Sequence, residues 1–148
     1  MTKKRKLPSP RVLRRLLDYD PETGELRWKE RPVWMFHDHP MGGRAGAALA
    51  WNKRLAGKPA FTGVTNRYNA GTIFNKSHYA HRVAWAMHCG EWPTTHIDHI
   101  NGDELDNRMS NLRDVSQKEN LRNTKRSSAN TSGVTGVYWS KQLKKWTA

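Results

Sequence analysis

Leu13, Leu16 and Leu17 recur at helical spacing among Arg11, Arg14 and Arg15. Ser9-Pro10 ahead of them supplies an N-cap and a first-turn proline, so the pattern predicts a helix to about Tyr19. Asp20-Pro21-Glu22-Thr23-Gly24 is a turn by its chemistry, and beyond it Leu26 and Trp28 alternate with Arg27 and Lys29 as in a half-buried strand. From 31 to 58 the pattern fades into Gly42-Gly43, Gly46 and Gly57, which predicts a loop with one strand at most. His37 and His39 in that stretch read as a solvated loop pair rather than as metal ligands, the other role the spacing allows. Gly71 to Asn75 and His78-Tyr79 predict two short strands around Asn75-Lys76-Ser77. A compact helix follows from about His81 to Cys89, packing Val83, Ala84, Trp85 and Met87. Gly90 suits its left-handed cap, and Pro93 prevents its continuation.

Between Pro93 and Val115 the chain is rich in Asp, Asn and Gly, a composition that makes turns and supplies oxygen ligands. Leu112-Arg113-Asp114-Val115 reads as a strand returning from that loop. Ser116, with Glu119 three residues on, forms a capping box for a helix to about Asn123. Residues 127–133 are linker-like, and residues 134–139 and 144–148 predict a hairpin joined by a basic turn. These elements give an α+β class: an N-terminal helix and strand region over 1–70, a core over 71–126, and a linker with a β-hairpin over 127–148.

Composition changes the picture mainly through charge. The 148 residues are 36% hydrophobic, with a formal net charge of +13 and a mean hydropathy of -0.91. Seven tryptophans nonetheless argue for packed structure. Residues 1–15 hold seven Lys/Arg and no acid, and residues 116–148 hold seven and one acid, Glu119. The centre is formally neutral, with twelve of each sign. Basic ends around a balanced middle fit a protein that grips a polyanion and does something else in between. Cys89 is alone, which excludes a disulfide framework and a Cys-x-x-Cys zinc pair. No apolar leader core or membrane-length run is present, which predicts a cytoplasmic protein that does not contact membranes.

Four polar residues carry candidate chemistry for phosphodiester hydrolysis. His99 is a natural general base. Asp98 is a hard oxygen donor suited to Mg²⁺ or Mn²⁺, and in an extended segment the two side chains point opposite ways. Asn111, 12 residues after His99, could return on the second strand and accept the imidazole N–H. Asn120, nine residues further along the predicted helix, could supply a neutral oxygen ligand. Two protein ligands would leave one divalent ion open to phosphate and water. Arg113, Arg122, Asn123, Lys125 and Arg126 are candidate DNA contacts. Arg82 is either a phosphate contact or part of a structural ion pair, while His81 and His88 read as packing or surface residues.

The run Ile97-Asp98-His99-Ile100-Asn101-Gly102-Asp103, with Asp106-Asn107-Arg108, Asn111-Leu112-Arg113 and Asn120, resembles the HNH endonucleases of phage homing type. The similarity extends back through His81-Arg82-Val83-Ala84-Trp85, Gly90 and Pro93, and Leu17-Asp18-Tyr19-Asp20-Pro21-Glu22-Thr23-Gly24 is similar to a lead-in found in that group. The resemblance implies a ββα-metal site in which His99 is the base, Asn111 orients it, and Asp98 and Asn120 hold one divalent ion. Asn at the third motif position favours Mg²⁺ or Mn²⁺ over zinc. It also implies double-stranded DNA as substrate, a monomer or homodimer, and a phage-encoded protein in a bacterial cytoplasm. Residues 130–148 resemble the start of the plant APETALA-type DNA-binding domain, a major-groove reader built on a three-stranded sheet. A DNA-binding or regulatory module that keeps the same scaffold without cleaving is the alternative; retention of all four polar positions favours the nuclease.

Overall fold

The computed structural model describes residues 7–38, 40, 42–116, 130–134 and 136–147. It has an α+β architecture of short antiparallel sheets and helices. Residues up to Val115 form one compact unit and residues 116–148 another.

The first unit begins with α1 (Pro10–Leu16), capped by Ser9, whose hydroxyl accepts from the Val12 N–H. The predicted continuation to Tyr19 is not observed. The chain turns extended at Leu17, and β1 (Leu17–Tyr19) pairs antiparallel with β2 (Leu26–Trp28). That change lets Leu13, Leu16 and Leu17 all reach the core, each at most 1% exposed. The loop expected over 31–58 contains a helix instead, α2 (Gly43–Leu55). Only Ala48 of that helix is buried, so its apolar positions leave no periodic signature. What docks it is local: the Arg31 guanidinium lies 5.1 Å from the Trp28 ring and 3.9 Å from the Trp51 ring, and the Asn52 amide bonds both backbone groups of Arg31.

A three-stranded meander follows, β3 (Gly63–Thr65), β4 (Tyr68–Ile73) and β5 (Lys76–Tyr79). The β4–β5 turn places Phe74 and Asn75 at positive φ, 49° and 58°. β5 runs directly into α3 (Ala80–Cys89), which ends at Gly90 in the left-handed conformation, as the sequence predicts. Arg14 of α1 donates to the Met87 carbonyl and ties the two helices together. The main core joins Leu13, Leu16, Leu17, Leu26 and Phe61 to Ile73, Val83, Ala86 and Met87. Residues on both sides of position 70 share this core and this sheet. Burying such side chains contributes about 1.5–3 kcal/mol each before chain entropy is set against it.

β6 (His96–His99) and β7 (Leu112–Val115) form a hairpin whose inner face, Ile97 and Leu112, packs on Ala84 of α3. Register pairs Asp98 with Arg113 and His99 with Leu112. In the second unit, β8 (Tyr138–Ser140) pairs with β9 (Lys145–Thr147) as the sequence predicts. Trp139 lies opposite Trp146, their rings 5.5 Å apart and edge to face.

Candidate active site

The β6–β7 hairpin presents Asp98 and His99 on opposite faces of one strand, because successive side chains alternate. His99 faces inward and is 6% exposed. Asp98 faces out, and its carboxylate accepts from Arg113 across the strand pair, from Nη2 at 2.6 Å and Nε at 3.0 Å.

The connection from β6 to β7 is held by its own Asx side chains. Asn101 Nδ2 donates to Asp106, Asp103 accepts from the Leu105 N–H, and Asp106 accepts from Arg108 Nε and Nη2 at 2.8 and 2.6 Å. The Arg108 bonds are the main reason the Asp106 carboxyl sits well below the usual carboxylate range.

Asn111 does something different from what its spacing suggests. Its Oδ1 accepts from the Asn101 N–H at 2.9 Å and its Nδ2 donates to the Asp106 carbonyl at 2.8 Å, so it braces the loop. The amide that reaches the imidazole belongs to Asn107, whose Oδ1 lies 3.5 Å from His99 Nε2. Asn107 is 4% exposed, and its Nδ2 donates to the Leu105 carbonyl at 3.1 Å, which turns the oxygen toward the ring. An amide oxygen only accepts, so a bond at this contact requires the hydrogen on Nε2 and leaves the lone pair on Nδ1. Nothing in the sequence singles out Asn107 from the other Asx residues of its loop. Replacing it with Ala is expected to let the His99 ring average between its two tautomers, which long-range ¹H–¹⁵N NMR of the ring reads directly.

Asn107 is itself pinned from the N-terminal region. Tyr19 Oη donates to the Asn107 carbonyl at 2.8 Å, and the Met109 N–H donates to the Pro21 carbonyl at 2.9 Å. The lead-in motif is thus a support for the segment that orients His99.

Four rings crowd the other side of the site: His99, Tyr68, Tyr79 and His81. The His81 and His99 centroids are 5.2 Å apart with planes at 83°, and Tyr68 lies 5.9 Å from His99. Burial, then the neighbouring His99 and Arg82, push His81 down to about 3. An unfolded histidine takes its proton near pH 6.5, so acid favours the unfolded chain. Stability from this source is complete above about pH 6.5 and falls from there toward pH 3. His78 shifts in the same direction, through burial and then Lys76. The melting temperature of the wild type should therefore fall more steeply below pH 6.5 than that of His81→Phe. Parallel slopes would contradict a neutral, buried His81.

Arg82 donates to the carbonyls of Thr95 and Pro93 at 2.9 and 3.0 Å. It therefore braces the approach to β6 through backbone oxygens. His37 and His88 are exposed. His39, Asn120, Arg122, Asn123, Lys125 and Arg126 lie outside the described residues. Among the described residues, no three His, Cys, Asp or Glu side chains stand together as a metal cage.

Residues 78–122 match the HNH endonuclease family. The matched stretch contains β5 from His78, α3, the β6–β7 hairpin and the Asx loop, so it includes His81, Asp98, His99, Asn107 and Asn111 but not Tyr19, Pro21 or Tyr68. The chain is also 39% identical over 74 residues to Protein 3.8 of Escherichia phage T7, an alignment covering 49% of this chain and 61% of that protein. It thus spans about three fifths of the length of the curated relative it matches. No solved structure matches it. No helix among the described residues is long and apolar enough to cross a membrane.

Proposed function

We propose that this protein is a metal-dependent DNA endonuclease of the homing type, hydrolysing phosphodiester bonds with His99 as general base. The observation that carries the reading is the placement of His99 within the HNH segment. Its ring is buried on β6, its Nε2 is turned to Asn107, and a carboxylate, Asp98, stands beside it on the opposite face.

Asp98 would hold one Mg²⁺ or Mn²⁺, with Asn120 as the second expected oxygen donor. The bound ion would supply positive charge for the phosphate oxygens and the leaving 3′ oxygen. The chain's own residues account for the proton. His99 Nδ1 takes it from the attacking water, Asn107 holds the Nε2–H end, and Asn111 keeps the loop that carries Asn107 in shape. Arg113, 44% exposed and beside Asp98, brings a guanidinium to the edge where phosphate would approach. Arg122, Asn123, Lys125 and Arg126 extend the predicted contact surface, and the basic ends of the chain supply sequence-independent affinity. The exposed Tyr138, Trp139 and Trp146 of the β8–β9 hairpin, with Lys141, Lys144 and Lys145, suit a second DNA contact. The phage relative supports a phage-encoded protein acting in a bacterial cytoplasm.

The test is supercoiled plasmid incubated with the full chain in Mg²⁺, Mn²⁺ or EDTA. Nicking or linearisation is expected with either metal and none in EDTA. Tight binding with no cleavage under any metal would instead favour a DNA-binding module on the same scaffold.

A further inference from the structure

One hydrogen bond to Nε2 fixes one end of the His99 imidazole but leaves the ring free to swing about that end. The plane of the ring has to be set by packing. Two rings do this. Tyr68 of β4 lies against His99 at 5.9 Å with planes 30° apart, and His81, at the first turn of α3, meets it edge to face at 5.2 Å and 83°. Tyr68 and His81 are themselves in contact at 4.9 Å, and Tyr79 stacks on His81 at 5.6 Å and 10°. The wall around His99 is therefore a connected set of rings carried by β4, β5 and α3.

His81 is 5% exposed, and its Nδ1 is buried with no hydrogen-bond partner among the described residues. A buried nitrogen without a partner contributes no bond, so this atom is not what secures the ring. What His81 gives its neighbours is a flat, rigid face. Burial also keeps it uncharged at neutral pH. A neutral ring beside His99 imposes no repulsion when His99 gains a proton from the attacking water.

We propose that His81, together with Tyr68, is a positioning residue that sets the plane of the His99 ring during cleavage. This rests on the nuclease reading and adds to it a residue outside the motif that supplies base and metal ligand.

The experiment combines single-turnover cleavage of a labelled duplex in Mg²⁺ with long-range ¹H–¹⁵N NMR of the His99 ring, both on the full chain. The wild type should show one dominant tautomer, protonated at Nε2. His81→Ala should lower the cleavage rate by about 10- to 100-fold, with the dissociation constant for DNA unchanged and the His99 nitrogen shifts moving toward tautomer averaging. His81→Phe should restore most of the rate and the single tautomer, because it returns the ring without the unpaired nitrogen. Three results would overturn the proposal: wild-type rates in His81→Ala, His81→Phe as slow as His81→Ala, or identical His99 spectra in all three proteins. Should His81→Ala not fold, Tyr68→Ala, on a half-buried strand position, carries the same prediction on rate and tautomer. Absence of metal-dependent cleavage by the wild type would count against the nuclease reading alone, since the NMR comparison still decides what holds the ring.

Discussion

Gly24→Ala is expected to destabilise the protein by about 2–4 kcal/mol and, in the proposed nuclease, to slow cleavage even where the protein stays folded. Gly24 sits at φ +76°, where an L side chain is strained. A Cβ there would come within 2.5 Å of both Arg108 N and Asn107 C, and within 3.0 Å of Asn107 O. All three are backbone atoms, so no side chain can swing aside to relieve the clash. Either the Asp20–Gly24 turn or the Asn107–Arg108 segment must move. The first breaks the Tyr19 and Pro21 contacts to residues 107–109. The second carries the Asn107 amide away from His99 Nε2, to which it already makes a long bond of 3.5 Å. Either movement reaches the base, and a shift of about 1 Å at a reacting group can cost about 100-fold in rate. Urea unfolding checks the first half of this prediction, and cleavage assayed at a temperature where the variant is folded checks the second. An unchanged unfolding midpoint would mean that the turn does not press on the Asn107 segment.

Where local pattern and tertiary packing agreed, the sequence was readable. The helix after His81 declares itself by its apolar spacing and by Gly90, and the strand at Leu112–Val115 by its return from an Asx-rich loop. The Asp98-His99 pair could be placed on opposite faces because strand side chains alternate. α2 was not readable, since its Ala- and Gly-rich face buries only Ala48 and it is anchored by Arg31 between two tryptophans rather than by a stripe. The end of α1 was misjudged for a related reason. Leu17 belongs to the same apolar core as Leu13 and Leu16, but reaches it from a strand paired with Trp28. The largest gap concerned the orientation of His99. Its partner was sought at the motif spacing, in Asn111, whereas Asn107 is put in place by Tyr19 Oη from 88 residues away. The sequence makes His81 a packing or surface residue; its contact with His99 arises only when α3 is laid beside β6.

His99→Ala should have the largest effect on chemistry. General-base catalysis contributes about 10²–10⁴-fold, and the ring is the base in the proposed site. Cleavage should therefore fall by about that factor. Binding should survive, because the proposed affinity comes from cationic groups elsewhere. Folding should survive as well, with a modest loss of stability: His99 is buried, yet it lies outside the main apolar cluster, and the side-chain partner of its ring, Asn107, keeps its bond to the Leu105 carbonyl. A variant that neither bound nor cleaved would point to misfolding, and circular dichroism with a DNA-binding titration separates the two cases.

The most direct test of the account is single-turnover cleavage of one labelled duplex in Mg²⁺ by wild type and His99→Ala side by side, at protein concentrations that saturate binding for both. The predicted result is cleavage by the wild type and a loss of about 10²–10⁴-fold in the variant at equal occupancy. Equal rates for the two proteins would contradict the assignment of His99 as the base, and with it the mechanism built on the β6–β7 hairpin.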